Sequence, residues 1–203
     1  MKVDPTTLSQ RDSYQLLISV IVPRPIAFVS TVAEDGVLNL APFSFFSGIC
    51  SKPPTLCFSV VRRRGEKKDT VRNIEWGGEF VVNVVSERFA AAMNQASADY
   101  PPEVDEFAAA GFTPVPSDLV RPPRAGEALV SMECKLVEVR EYGETPYTSS
   151  LIIGEVARFH LSDEVYHDGA VDYAALGAVG RMGGDFYCRT TDRFEMKRPT
   201  LDR

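Results

Sequence analysis

With 203 residues the chain is long enough for one sizeable core, and its 44% apolar and 25% charged residues are ordinary for a soluble globular protein. A net charge of −6 argues against a nucleic-acid surface, and the one concentrated basic run, Arg62-Arg-Arg-Gly-Glu-Lys-Lys, is enough for a single phosphate only. No apolar run approaches the ~20 residues that span a bilayer. The start, Met1-Lys-Val-Asp-Pro-Thr-Thr, also lacks the apolar segment of a signal peptide, so a cytoplasmic protein with no membrane partner is expected.

Residues 1–22 begin polar and turn apolar at Tyr14-Gln-Leu-Leu-Ile-Ser-Val-Ile-Val, which predicts a short helix or turn and then an extended lead-in halted by Pro23 and Pro25. Ile26–Val32 is β-branched and apolar, a strand. Glu34-Asp-Gly reads as a tight hairpin turn, and Val37–Leu40 returns as the second strand. Phe43–Cys50 is aromatic with interspersed Ser and Gly, and Pro53-Pro54 then breaks the chain before Thr55–Val61, a strongly β-type run. Lys68–Trp76 has helical spacing, with Asp69-Thr70 offering cap chemistry and Gly77-Gly78 a stop. Phe80–Val85 reads as a buried strand and the Ala-rich Glu87–Ala98 as a helix.

Residues 99–126 carry Pro101-Pro102 and Pro122-Pro123, the mark of a long surface excursion, with a helical piece near Val104–Ala110. Two long β segments follow, Ala128–Tyr142 and Leu151–His160, joined by a turn at Gly143-Glu-Thr-Pro. The first alternates cleanly, with Leu129, Ser131, Glu133, Lys135, Val137 and Val139 on one face. The tail carries Gly180-Arg-Met-Gly-Gly-Asp-Phe-Tyr. No repeat or linker divides the chain, so one domain over 1–203 is expected: mainly β, a small antiparallel barrel with flanking helices. Four dispersed cysteines (Cys50, Cys57, Cys134, Cys188) lack a C-x-x-C pair and read as buried strand thiols, with no metal site.

The G-x-G-x-x-G, P-loop, zincin and G-x-S-x-G patterns are absent. What remains is a set of short β segments ending in hydroxyl or amide residues, followed by a cationic turn that enters a helix. Such a layout can hold a planar ring with a phosphate tail. The turn Arg62–Lys68 with Asp69 and Thr70 supplies cations and helix-start amides for the phosphate; otherwise it is a solvated charge run with an N-cap. Asn39, Ser44 and Ser47 flank Ala41-Pro42, a kink that leaves backbone groups for a ring edge. Ser30, Thr31, Ser59 and Asn83 sit near strand ends and either line a ribityl chain or satisfy the sheet. Phe43, Phe45, Phe46 and Phe58 are first of all core residues. His160 and His167 are the two candidates for proton exchange.

The segments Pro23-Arg-Pro-Ile-Ala-Phe-Val-Ser-Thr, Asn39-Leu-Ala-Pro-Phe-Ser-Phe-Phe, Lys68-Asp-Thr-Val-Arg-Asn-Ile and Glu79-Phe-Val-Val-Asn strongly resemble the flavin reductase-like family, which includes flavoredoxin and the FMN-binding split barrel proteins. The resemblance is densest over residues 20–98 and continues to Arg181 and Arg198-Pro199. It implies a six-stranded antiparallel Greek-key split barrel, a homodimer, and FMN near the subunit interface. By position it implies Ser30, Thr31, Asn39 and Ala41, together with Ser44, Phe45, Ser59 and Val61, near the ring and ribityl group. Lys68, Asp69 and Thr70, with Arg62, would meet the phosphate, and Arg181 and Tyr187 would contribute from the tail. It further implies NADH or NADPH as donor and free flavin, oxygen, a ferric complex or a partner monooxygenase as acceptor. The chemistry is then the flavin's, and no catalytic side chain is required. A non-enzymatic FMN electron carrier for a partner protein is the alternative.

Overall fold

The computed structural model describes residues 1–201. Helix α1 (Gln10–Val20) starts where the Ser9 hydroxyl accepts from the Asp12 amide at 3.1 Å and donates to the Asp12 carboxylate at 2.6 Å. That reciprocal cap carries the helix through the apolar stretch expected to be extended, and the chain leaves it before Pro23. Of α1, only Ile18 is buried.

The barrel strands follow as β1 (Ala27–Val32), β2 (Leu38–Phe43), β3 (Phe46–Ser51) and β4 (Pro54–Val61). Gly36 makes the β1–β2 turn with φ of 92°, a conformation a side chain resists. Helix α2 (Asp69–Gly77) ends on Gly78 in the left-handed region, and β5 (Glu79–Val84) follows directly. A single 3-10 turn (Glu87–Phe89) leads into α3 (Ala90–Gln95), which is shorter than the helix expected over Glu87–Ala98. The excursion holds α4 (Glu106–Ala110) and the short pair β6 (Pro114–Val115) and β7 (Arg124–Ala125). Long strands β8 (Val130–Tyr142) and β9 (Ser149–Leu161) complete the barrel. The tail adds β10 (Tyr166–His167), β11 (Ala170–Val171), α5 (Tyr173–Leu176), β12 (Val179–Arg181) and β13 (Tyr187–Arg189).

The main sheet runs β2-β1-β5-β8-β9-β4-β3, and every pairing is antiparallel. The fold is therefore mainly β as expected, with seven strands in place of six. The non-sequential neighbours β1–β5, β5–β8 and β4–β9 give it its crossed-over topology. The alternation along β8 is not clean. Register shifts at Glu133/Cys134 and Leu136/Glu138 leave consecutive Glu133 and Cys134 both buried and turn Val137 out to solvent.

Two apolar clusters lie on opposite sides of β1. Ala27 and Val29 join Phe58, Phe80 and Ile152 inside the barrel, where Phe58 and Phe80 pack edge to face at 5.5 Å. Phe28 points the other way, onto Phe112 at 5.0 Å and Phe89, beneath α3 and α4. Helix α2 buries Val71 and Ile74 against the first cluster.

Buried polar side chains staple the excursion to the barrel. Ser30 donates to the Pro123 carbonyl at 2.5 Å. The Asn83 side-chain oxygen accepts from the Ala125 amide at 3.0 Å and from the Ser131 hydroxyl at 2.8 Å. Glu133, fully buried, accepts from the amides of Asp118 (2.8 Å) and Leu119 (2.6 Å) and lies 2.5 Å from His160 Nε2.

Candidate functional site

Between the start of α2, the edge of β2 and the Ala96–Glu106 segment lies a cavity of about 280 Å³. Asn39, Ala41, Lys68, Asp69 and Thr70, all expected from the sequence, line it. Its floor is a hydrogen-bonded lattice. The Asn39 side-chain oxygen accepts from the Thr70 hydroxyl at 2.8 Å and the Thr31 hydroxyl at 3.2 Å, and Asn73 donates to Thr31 at 3.0 Å. The Asn39 amide bonds the carboxyl of Glu106, which also accepts from the Leu40 amide at 3.2 Å. Burial pushes the Glu106 carboxyl above its usual range, and these bonds only partly offset it.

The lining carries the cations Arg63, Lys67, Lys68 and Arg72 beside the carboxylates Glu66, Asp69, Asp99 and Glu106, and most of the cations are already paired. Arg63 meets Asp99 at 3.0 Å, Lys67 meets Glu75 at 2.5 Å and Glu141 at 3.4 Å, and Arg72 bonds Asp69. Lys68 alone among the lining cations has no carboxylate within 4.0 Å among the described residues. Lys68 is also the N-cap of α2, in place of the expected Asp69-Thr70 cap, and its side chain accepts nothing. The Asp69 and Thr70 amides therefore have no protein acceptor among the described residues. Because the Thr70 hydroxyl is committed to Asn39, its amide is the free donor. One free ammonium and two free amides at a helix start form an anion-accepting corner.

A second cavity, of about 160 Å³, adjoins the first and shares Pro42 and Ser97 with it. Ser44, Arg181 and Tyr187 line it, as do Asn94 and the apolar Ile26 and Met93. The tail reaches this place through β12, which bridges back to Arg24.

The remaining expected residues lie elsewhere. Ser30 and Thr31 are wholly buried and bonded within the protein, and Ser30 holds the excursion. Ser59 is half-buried in β4, its amide bonded to the Phe45 carbonyl, and Val61 is half-buried at the end of the same strand. Arg62 turns towards the Gly65 carbonyl and Glu141. The Phe45 ring is half-buried, with Tyr14 edge-on at 6.5 Å and the Arg24 guanidinium at 5.9 Å.

Neither histidine lines either cavity. His167 is exposed in the β10–β11 turn, and His160 is held by Glu133. Asp118, Glu133 and His160 bring their ligand atoms within 4.8 Å of one another. The Glu133 oxygens are occupied by two backbone amides and Asp118 by Arg158, so the cluster reads as a structural latch. Of the cysteines, Cys134 is buried, Cys57 and Cys188 are half-buried, and Cys50 is exposed on β3, against the expectation of four buried thiols. Glu106 and Asn94 were not legible as site residues. Glu106 finds the Leu40 amide across a separation of 66 residues, and nothing local marks that meeting.

The family described as "Flavin reductase like domain" matches residues 19–175. An uncharacterised protein of Halalkalibacterium halodurans is 40% identical over 207 residues, covering 100% of this chain and 99% of that protein. Among solved structures, nitrilotriacetate monooxygenase component B from Bacillus cereus is 37% identical with a TM-score of 0.94, covering 97% of this chain and 98% of that one. The 2-nitrobenzoate 2-nitroreductase NbaA of Pseudomonas fluorescens is 32% identical with a TM-score of 0.90, covering 98% of this chain and 97% of that one.

Proposed function

From the premise that this chain belongs to the flavin reductase-like family, we propose that it is an FMN-dependent oxidoreductase that takes electrons from NADH or NADPH and passes them to a small acceptor or a partner monooxygenase. The observation that carries the FMN reading is the corner at the start of α2, where Lys68 and two uncapped amides offer donors to a dianionic phosphate with no protein acceptor in competition. The larger cavity, about 280 Å³, lies at the lower edge of the range of roughly 300–1,000 Å³ that cofactor sites occupy. Asn39, Ala41, Lys68, Asp69 and Thr70 would hold the cofactor, and bound FMN supplies hydride and single-electron chemistry that no side chain here offers. Asn39, locked between Thr70 and Glu106, fixes the shape of the floor. Thr31 braces Asn39 from behind, whereas Ser30, Ser59, Val61, Arg62 and Phe45 line neither cavity.

The family likeness to a monooxygenase component and to a nitroreductase supports an enzyme that delivers electrons onward. A homodimer belongs to the same reading: Tyr14, Leu16, Leu17 and Val20 on α1, Ile21 just after it and Ile49 on β3 stay exposed, apolar surface suited to a second copy. No described helix is long and apolar enough to cross a membrane, and a cytoplasmic location is part of the proposal.

A visible spectrum of the purified protein with added FMN, before and after anaerobic NADH or NADPH, tests the reading. Uptake of flavin and bleaching of its oxidised band by either nucleotide is the expected result. A yellow protein that stays oxidised would be an electron carrier, and a protein that takes up no FMN would refute the cofactor.

A further inference from the structure

The smaller cavity has a polarity of its own. Ser44 Oγ accepts from the Arg24 side chain at 3.3 Å, and the Ser44 hydroxyl proton has no protein acceptor among the described residues. The Asn94 side-chain oxygen accepts from the Tyr187 hydroxyl at 3.2 Å, which orients the amide, and its exposed NH2 group has no protein partner among the described residues. Arg181 donates to the Gly184 carbonyl at 2.5 Å and lies over the Tyr187 ring at 4.5 Å, and its other side-chain N–H groups have no acceptor among the described residues. Ser97 turns its proton away, onto the Asn94 carbonyl at 2.6 Å. The free groups are thus chiefly donors.

The charge points the same way. No carboxylate lines the cavity, and neither Arg181 nor Arg24 behind it has a carboxylate within 4.0 Å among the described residues. Arg24 is only 4% exposed and satisfies its guanidinium with the carbonyls of Ile18, Ile21 and Met182 in addition to Ser44. Those dipoles do not cancel its charge. Burial lowers its proton affinity, Tyr14 partly offsets that, and the nearby Arg181 lowers it further. Opposite this cationic end, Ile26, Pro42 and Met93 form an apolar wall. A cavity of about 150 Å³ accommodates benzene, so 160 Å³ suits one ring.

We propose that this cavity is a subsite for a single-ring aromatic carboxylate, its ring against Ile26, Pro42 and Met93 and its carboxylate held by Arg181, the Ser44 hydroxyl and the Asn94 amide. The proposal rests on the reading that flavin occupies the adjoining larger cavity, and it deepens that reading by naming the substrate class.

Titration calorimetry with benzoate and with its neutral isostere benzamide tests it, on the FMN-loaded protein and on the flavin-free protein. Benzoate is expected to bind at least about 10-fold more tightly than benzamide, since a charge-assisted pair distinguishes them. Arg181→Gln should weaken benzoate about 10- to 100-fold. Asn94→Asp keeps the shape and the Tyr187 bond but puts an acceptor charge in the cavity. It should abolish benzoate binding while FMN affinity stays within about twofold, which a folding defect would not do. Equal binding of benzoate and benzamide, or unchanged benzoate binding in both variants, overturns the proposal. Parallel loss of FMN in both variants also overturns it, because the cavity would then belong to the flavin ring. Equal competition by inorganic pyrophosphate overturns it in favour of a nucleotide phosphate site. If the protein takes up no FMN at all, the cofactor reading fails alone, and the flavin-free titration still decides the carboxylate site.

Discussion

Replacing Glu133 by Gln should release the 117–119 stretch of the excursion from the barrel. The carboxylate is fully buried and divides its two oxygens among the Asp118 amide, the Leu119 amide and His160 Nε2. Burial alone would raise its proton affinity, but those hydrogen bonds outweigh burial and hold the carboxyl below its usual range. The folded state therefore prefers the anion. A glutamine keeps one acceptor oxygen and turns a donor NH2 on a backbone N–H that has no other partner. One partly buried amide left without its acceptor and the loss of charge assistance together amount to about 2–4 kcal/mol. For a domain of this size that is a fall in Tm of roughly 5–15 °C. The pH dependence has a definite sign. Because the folded-state value is depressed, the wild-type advantage over Glu133→Gln is fully present above the ordinary glutamate range and is lost as pH falls through the depressed folded value. Urea unfolding of both proteins from neutral pH downward measures it, with amide exchange at Asp118 and Leu119 as the local readout. A stability change below about 0.5 kcal/mol at neutral pH, or unchanged exchange at those two amides, would refute the latch.

Glu106 carries the opposite sign: burial raises its folded value, so its contribution is present at low pH and is lost as pH rises through that raised value. The stability of wild type relative to Glu106→Gln should accordingly fall with rising pH, and urea midpoints across the acid-to-neutral range read it; a rise would contradict the burial. Lys68→Glu removes the one unpaired cation of the larger cavity and sets a like charge beside the phosphate, so FMN affinity by fluorescence quenching should drop at least about 10-fold, and an unchanged Kd would move the phosphate elsewhere. Gly154→Ala would place a Cβ 2.3 Å from Phe80 Cζ in the middle of the barrel core, a clash with a ring that has no free space to retreat into. The expected cost is about 1–3 kcal/mol in calorimetry with the same fold by circular dichroism. A neutral result would mean that Phe80 repacks freely.

What local chemistry decides was legible in the chain. The Asp35-Gly36 turn, α2 with its Gly78 stop, and the apolar runs of β1, β4 and β5 stand where propensity and turn residues put them. What long-range partners decide was not. The stretch ahead of Pro23 is helical because Ser9 and Asp12 cap it, although its apolar run resembles a strand. The faces of β8 are reset by register shifts that its own alternation does not announce. The hardest distinction was between polar residues that face a ligand and polar residues that staple the fold. Ser30 and Asn83 share residue types and strand-end positions with Asn39 and Ser44. Their partners are Pro123 and Ala125, separated by 93 and 42 residues and invisible to any local pattern.

That distinction also explains why the excursion belongs to the site. Its Ala96–Glu106 portion walls the larger cavity, and Glu106 reaches under β2 to fix the side chain that anchors the floor. Its later portion is pinned by Ser30, Asn83 and Glu133 on the other side of β1. A segment rich in proline orders little by itself, and its backbone amides need acceptors from outside. The barrel provides them as buried side chains, each fully bonded and none free for a ligand. Around the two joined cavities, the Lys68 ammonium, the amides at the start of α2, the Ser44 hydroxyl, the Asn94 amide and the Arg181 guanidinium keep donor groups that no described residue accepts. Donors gathered around one pair of cavities, two of them on the cations Lys68 and Arg181, favour an occupant that accepts hydrogen bonds and carries negative charge.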